Sequence, residues 1–146
     1  MEQFTDEKPK RTELLKVLCI LTFIGSGSSA FANMIMFITI DDWKLAYENG
    51  LFESFDKLFQ DEALQILMNV NPRFYLLQAL IYVASLVGAM LMWNLKKMGF
   101  HVYTVAQILL LITYNLYLSS QPFPFFPLLL SITFILLYSR NLSVMH

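Results

Sequence analysis

An all-α, polytopic membrane fold built as a four-transmembrane-helix bundle is what this sequence predicts, and three observations predict it. First, residues 17–40 and 74–95 form two runs without a single charged side chain. A hydrocarbon core about 30 Å thick is crossed by roughly 20 apolar residues in a helix, so each run is long enough alone. Second, residues 98–139 carry no Lys, Arg, Asp or Glu, yet they are too many for one crossing and contain the breaker Ser119-Ser120-Gln121-Pro122-Phe123-Pro124. Third, the basic residues are segregated along the chain in a way that fits an even number of crossings.

The first span is expected over about 14–40 and the second over 74–95. Proline removes a backbone donor and clashes within a helix, so the breaker is read as a turn between a third span at 100–118 and a fourth at 125–139. Pro127 falls in the first turn of that fourth helix, where a missing donor matters little. With the N terminus inside, the inner side holds Lys8, Lys10, Arg11, Lys16, Lys96, Lys97 and Arg140, and the outer side only Lys44, Lys57 and Arg73. Lys and Arg concentrate on the cytoplasmic side of membrane proteins, so both termini are expected there. A cleaved signal peptide ending at Ala30-Phe31-Ala32 is the rival. Against it, the apolar run continues through Met34 to Ile38, past the roughly 7–15 residues of a signal core, so the uncleaved span is the favoured reading.

Residues 41–73 form the one sizeable polar segment, which holds Asp41, Asp42, Glu48, Glu53, Asp56, Asp61 and Glu62. Within it Leu51, Phe52, Phe55, Leu58, Phe59 and Ile66 recur at helical spacing, after the turn signal Asn49-Gly50. An extracytoplasmic amphipathic helix between the first two spans is therefore expected. Interfacial lipid-seeking helices are basic on their polar face, whereas this one is acidic, which favours packing on protein. Asn71-Pro72 then caps the second span. Carboxylate pairs such as Asp41-Asp42 lack the spacing of a calcium loop, and no metal site is expected.

Composition narrows function by exclusion. The chain of 146 residues is 57% hydrophobic with a net charge of −1, above the roughly 45–50% apolar usage of soluble domains. No basic surface interleaved with aromatics is present for nucleic acid. The single Cys19 supplies neither a redox pair nor a thiolate cage, and its place in the first apolar run makes it a buried thiol. No Asp, Glu, Lys, Arg or His falls in the middle of a span, which argues against proton-coupled transport or voltage sensing. No His/Asp/Ser set, phosphate loop or intramembrane acid–base pair points to catalysis, and no cofactor is implied.

Neutral polar stripes replace ionisable chemistry. Thr22, Ser26, Ser29 and Asn33 lie along the first span and Gln78, Tyr82 and Ser85 along the second. Thr104, Gln107 and Asn115 follow on the third, and Pro127, Ser131 and Tyr138 on the fourth. Small and neutral polar residues are what membrane helices use to approach and hydrogen-bond, so Gly25, Ser26, Ser29, Ser85 and Gly88 are candidate helix-packing positions. Asn33, Gln78 and Asn115, joined by Gln107, are candidates for a shared polar pocket. Trp43, Tyr47, Tyr75 and Tyr117 are expected near one membrane boundary, with Trp93, Phe100 and Tyr103 near the other. His101 is expected at the inner interface, and His146 as a disordered terminus.

The stretch Lys16-Val17-Leu18-Cys19-Ile20-Leu21-Thr22-Phe23-Ile24-Gly25-Ser26-Gly27, with Met92-Trp93-Asn94-Leu95-Lys96-Lys97-Met98-Gly99-Phe100, resembles small uncharacterised four-helix membrane proteins of Bacteroidetes-type bacteria. The resemblance implies a bacterial inner-membrane location and carries no functional residues with it. The function expected is that of a non-enzymatic accessory or assembly subunit. It would sit in the lipid bilayer and contact another membrane protein or a second copy of itself. The alternatives are an oligomeric channel or carrier for a small neutral solute and a lipid-binding membrane protein.

Overall fold

The computed structural model describes residues 10–52 and 61–146, the side chains of 61–64 excepted. Among the described residues five α-helices follow in order: α1 Glu13–Glu48, α2 Asp61–Asn69, α3 Pro72–Trp93, α4 Lys97–Tyr117 and α5 Phe125–Ser139. No strand occurs among the described residues. Four stretches of the described residues are long and apolar enough to cross a membrane: α1, α3, α4 and Phe125–Val144. The last is α5 extended by a 3₁₀ turn, Leu142–Val144, which lengthens the short fourth span read from the sequence.

Helix α1 begins at Thr12, whose hydroxyl accepts the Leu15 N–H. It does not end at residue 40, where the outer loop was expected, but runs on through Asp41, Asp42 and Trp43. Charged residues beyond the bilayer do not interrupt a helix; a left-handed turn does. At Gly50 (φ 72°) the chain makes that turn, the Gly50 N–H reaching the Tyr47 carbonyl and the Leu51 N–H that of Ala46. This is a Schellman motif with glycine at its left-handed position. At 36 residues and 1.5 Å per residue, α1 is roughly 54 Å long and outreaches the hydrocarbon core.

Helix α3 starts as its sequence predicts, with the Asn71 side chain accepting the Arg73 N–H and Pro72 in the first turn. It ends in a second Schellman motif, with Leu95 and Lys96 N–H groups bonded to Met92 and Leu91 carbonyls. Here the left-handed position is Leu95 (φ 59°), not glycine. A left-handed backbone costs roughly 1–2 kcal/mol for such a residue. Two things hold it: the Leu95 side chain is buried in the core, and its carbonyl accepts the His146 N–H at 2.8 Å.

Helix α3 is the centre of the bundle, packed between α1 and α4 along their length, with nine buried residues. The α3–α4 crossing is set by two glycines. A Cβ on Gly88 would lie 2.8 Å from the Tyr103 nitrogen, and one on Gly99 2.5 Å from the Gly88 carbonyl oxygen. Helix α5 is the outlier. It touches α1 and α4 only lightly, and Tyr138 is its one buried residue.

Two apolar clusters close the ends. At the end where Thr12 and His146 lie, Leu15, Leu18, Cys19, Met92, Leu95, Tyr103, Tyr138 and Met145 form a core. Tyr103, expected at a membrane boundary, is a core residue whose ring meets Tyr138 edge-on at 5.0 Å. His146 is not free either, since its carbonyl accepts the Lys97 N–H at 3.2 Å. Arg11 lies 4.6 Å over the Trp93 ring, a cation–π contact, and the Thr12 hydroxyl bonds the Asn141 amide.

At the opposite, loop end, Ile40, Met68, Val70, Phe74 and Tyr75 pack together, with Ile66 against them. The Tyr75 hydroxyl donates to the Leu67 carbonyl, tying α2 to α3. The α2 helix thus packs on the bundle end. Of the expected amphipathic helix, Leu51 and Phe52 belong to the turn after α1, Phe52 stacking on Trp43 at 5.5 Å. Phe55, Leu58 and Phe59 lie outside the described residues.

Candidate functional site

The loose attachment of α5 leaves a lateral cleft of about 440 Å³ between it and α1, α3 and α4. Ligand sites typically enclose roughly 300–1,000 Å³, so the cleft is large enough to hold a small molecule. The four polar stripes meet along it. Thr22, Ser26 and Ser29 come from α1, Gln78 and Tyr82 from α3, Tyr103, Gln107 and Tyr114 from α4, and Ser131 from α5. Leu110, Leu111, Leu130 and Phe134 form its apolar wall, and no lining residue is Asp, Glu, Lys, Arg or His.

A hydrogen-bonded chain crosses all four spans at the back of this cleft. The Ser26 and Ser85 hydroxyls are bonded at 3.0 Å, Gln107 Nε2 donates to Ser85 Oγ at 3.3 Å, and Ser131 Oγ donates to Gln107 Oε1 at 2.9 Å. With a rise of 1.5 Å per residue, Ser85 stands roughly 12 Å above Trp93 and Gln107 roughly 15 Å above Lys97, near mid-height of the bundle. Toward the termini, Thr22 and Tyr138 hydroxyls are bonded at 2.7 Å above the apolar cluster that closes that end.

Gln78 stands apart from this chain. It is 6% exposed, lines the cleft, and makes no hydrogen bond to any described residue. Its amide is open toward the cleft and able to hydrogen-bond a molecule held there. Six residues from Pro72, it lies roughly 9 Å from the loop end of α3.

The structure brings Gln78 and Gln107 to one cleft but not all four candidate amides. Asn33 Nδ2 donates to the Ser29 carbonyl at 2.8 Å, and Asn115 Nδ2 to that of Leu111 at 3.1 Å, each satisfied on its own helix. A short Asn side chain reaches the carbonyl four residues back more readily than a neighbouring helix. Asn115 is exposed and sits eight residues from Gln107, roughly 80° around the helix from it.

Among the packing candidates, Gly88 lies at the closest helix crossing, and Ser26 and Ser85 are buried and bonded. Gly25 does something different. A Cβ there meets nothing within 4 Å, because Gly25 opens onto the cleft, as Ser29 does. Gly99, whose partnership with Gly88 the sequence reading missed, faces it across the hairpin. A signal was available: the two glycines flank the Asn94–Leu95 turn, one on each arm of the hairpin. Cys19 is fully buried, its thiol 3.7 Å from the Ala89 carbonyl oxygen. Among the described residues no three His, Cys, Asp or Glu side chains come together.

Compared with known proteins, the chain matches no family model, no curated protein and no solved structure at a significant level.

Proposed function

We propose that this chain is a non-enzymatic, multi-pass membrane protein that works by holding a lipid-derived molecule in its lateral cleft. The observation that carries this reading is the cleft itself: neutral, walled by leucines and aromatics, and containing an amide without a partner. A site of this kind is entered from the bilayer, where the available molecules are amphiphiles. Catalysis draws no support, because the cleft offers hydroxyls and amides but no acid, base or activated nucleophile. A conducting path draws little, because the cleft stops at the Thr22–Tyr138 bond and the apolar cluster behind it.

The accessory-subunit reading keeps one specific support. Helix α5 is held at few points, so the same gap is open to a helix of a partner or of a second copy. One experiment separates the two. The protein is extracted from its native membrane in polymer-bounded lipid discs, and its bound lipids and proteins are identified by mass spectrometry. An amphiphile retained at fixed stoichiometry after delipidating washes is the expected result. A stoichiometric protein partner and no retained amphiphile would overturn it in favour of the accessory role.

The placement in a bacterial inner membrane, with both termini cytoplasmic and α2 outside, rests on the segregation of basic residues and on the resemblance noted above. In that orientation the Gln78 end of the cleft opens to the outer leaflet.

A further inference from the structure

We infer that the cleft selects a neutral, single-chain amphiphile whose head exchanges hydrogen bonds with the Gln78 amide while its chain lies against the leucine wall. The inference rests on the cleft being a binding site and adds the chemistry of what it binds. Three observations lead there.

Gln78 is more than nine-tenths buried, faces the cleft, and has no partner among the described residues. Ser26, Ser85, Gln107 and Ser131 bond one another in series, which leaves the Gln78 amide, with the hydroxyls of Ser29, Tyr82 and Tyr114, to meet a ligand head. An amide offers two donors and an acceptor, so its complement is a group that both gives and takes, such as a hydroxyl or an amide. Within the bilayer no bulk water is present to take that place.

Charge is the second constraint. No lining residue is ionisable as acid, amine or imidazole, so a phosphate or carboxylate head would enter without a counter-charge. Burying an unpaired charge is far more unfavourable than burying a hydrogen-bonded neutral group, which excludes anionic lipid heads from the Gln78 position. The third constraint is size. At about 440 Å³ the cleft lies in the lower half of the range of roughly 300–1,000 Å³ that ligand sites occupy, which suits one chain rather than two. Leu110, Leu130 and Phe134 line the route that chain takes toward the terminal end.

Two substitutions separate the cleft from its selectivity. Gly25→Leu projects a side chain into the cleft from a position where a Cβ meets nothing within 4 Å. Gln78→Leu keeps volume and removes the amide, and it breaks no hydrogen bond within the described chain.

The delipidated protein is titrated in detergent with monooleoylglycerol, and binding is read by native mass spectrometry, with oleate at pH 9 and dioleoylphosphatidylcholine as comparisons. Wild type is expected to take up one monooleoylglycerol saturably and to prefer it at least tenfold over both comparison lipids. Gly25→Leu is expected to abolish uptake, and Gln78→Leu to weaken it tenfold or more with thermal stability unchanged. If Gly25→Leu abolishes uptake but Gln78→Leu binds within twofold of wild type, the cleft is a site and the inferred role of Gln78 is wrong. If wild type takes up dioleoylphosphatidylcholine or oleate equally well, the selectivity is wrong. Absence of any saturable uptake, or uptake unaffected by Gly25→Leu, overturns the binding reading itself.

Discussion

Replacing Gly88 by alanine puts one methyl group where two helix backbones meet. The new Cβ would stand 2.8 Å from the Tyr103 nitrogen and 3.0 Å from both the Tyr103 Cα and the Gly99 oxygen. Ordinary contact begins near 3.4 Å, and all three neighbours are backbone atoms, so no side chain can rotate away. Helix α4 must instead retreat by roughly half an ångström along its crossing with α3, loosening contacts well beyond the glycine. Overpacking of this kind costs about 1–3 kcal/mol, and the rigid neighbours place Gly88→Ala toward the upper end.

Helix propensity works the other way, since alanine is favoured over glycine by about 0.8–1 kcal/mol in a helix. A net loss of about 1–2 kcal/mol remains by these two principles. Gly25→Ala is the internal control. It carries the same propensity gain but meets nothing, so it is expected to be neutral or slightly stabilising. Unfolding in mixed micelles with increasing dodecyl sulfate, followed by the fluorescence of Trp43 and Trp93, reads both variants against wild type. A separation of about 2 kcal/mol between them, near thirtyfold in the unfolding constant, is expected. Equal stability of Gly88→Ala and Gly25→Ala would refute the claim that this glycine sets the α3–α4 distance.

Two smaller tests address the remaining contacts. Ser85→Ala removes the bonds from Ser26 and Gln107 together, and at about 0.6 kcal/mol per interhelical bond in membranes a loss of about 1 kcal/mol is expected in the same titration. A Ser85→Ala protein indistinguishable from wild type would mean that the polar chain contributes no stability. Met145→Ala opens a void in the cluster beneath the α3–α4 hairpin, where Met145 is 3% exposed, and about 2 kcal/mol should be lost, at the low end for a buried methionine. Faster amide exchange at Lys97, whose N–H is bonded to the His146 carbonyl, should accompany it; unchanged exchange would contradict a docked terminal segment.

The spans were legible because the signal for a membrane helix is local. A run such as 74–95 needs only its own composition and length, and the Asn71-Pro72 start is a property of adjacent residues. The breaker at Pro122 and Pro124 likewise forces a turn whatever surrounds it. The extent of α1 was misjudged for the same reason. Asp41 and Asp42 mark the edge of an apolar run, but a helix outside lipid stops only where its backbone is redirected, at Gly50.

The candidate site was legible in part. Residues seven apart on α3, such as Gln78 and Ser85, share a face by helix geometry, so the stripes could be drawn without a structure. Which stripe members meet a neighbour depends on how far apart the helices stand, and no residue's own sequence context encodes that. Asn33 and Asn115 look like Gln78 in sequence, yet they are satisfied by carbonyls of their own helices. Gly25 and Gly88 are both glycines within polar stripes, yet one opens onto a cavity and the other sits against backbone.

The sequence by itself determined that this is an all-helical chain with four membrane-length apolar segments, because hydrophobicity, helix period and proline geometry act over a few residues. Only the tertiary structure decided that α3 is central and α5 peripheral. It alone decided that Leu95 is held left-handed by the docked chain end, and that of the two buried amides at the cleft Gln107 is bonded while Gln78 has no partner among the described residues. Those outcomes depend on distances between segments far apart in the chain, where a difference of one ångström separates a packed crossing from a cavity.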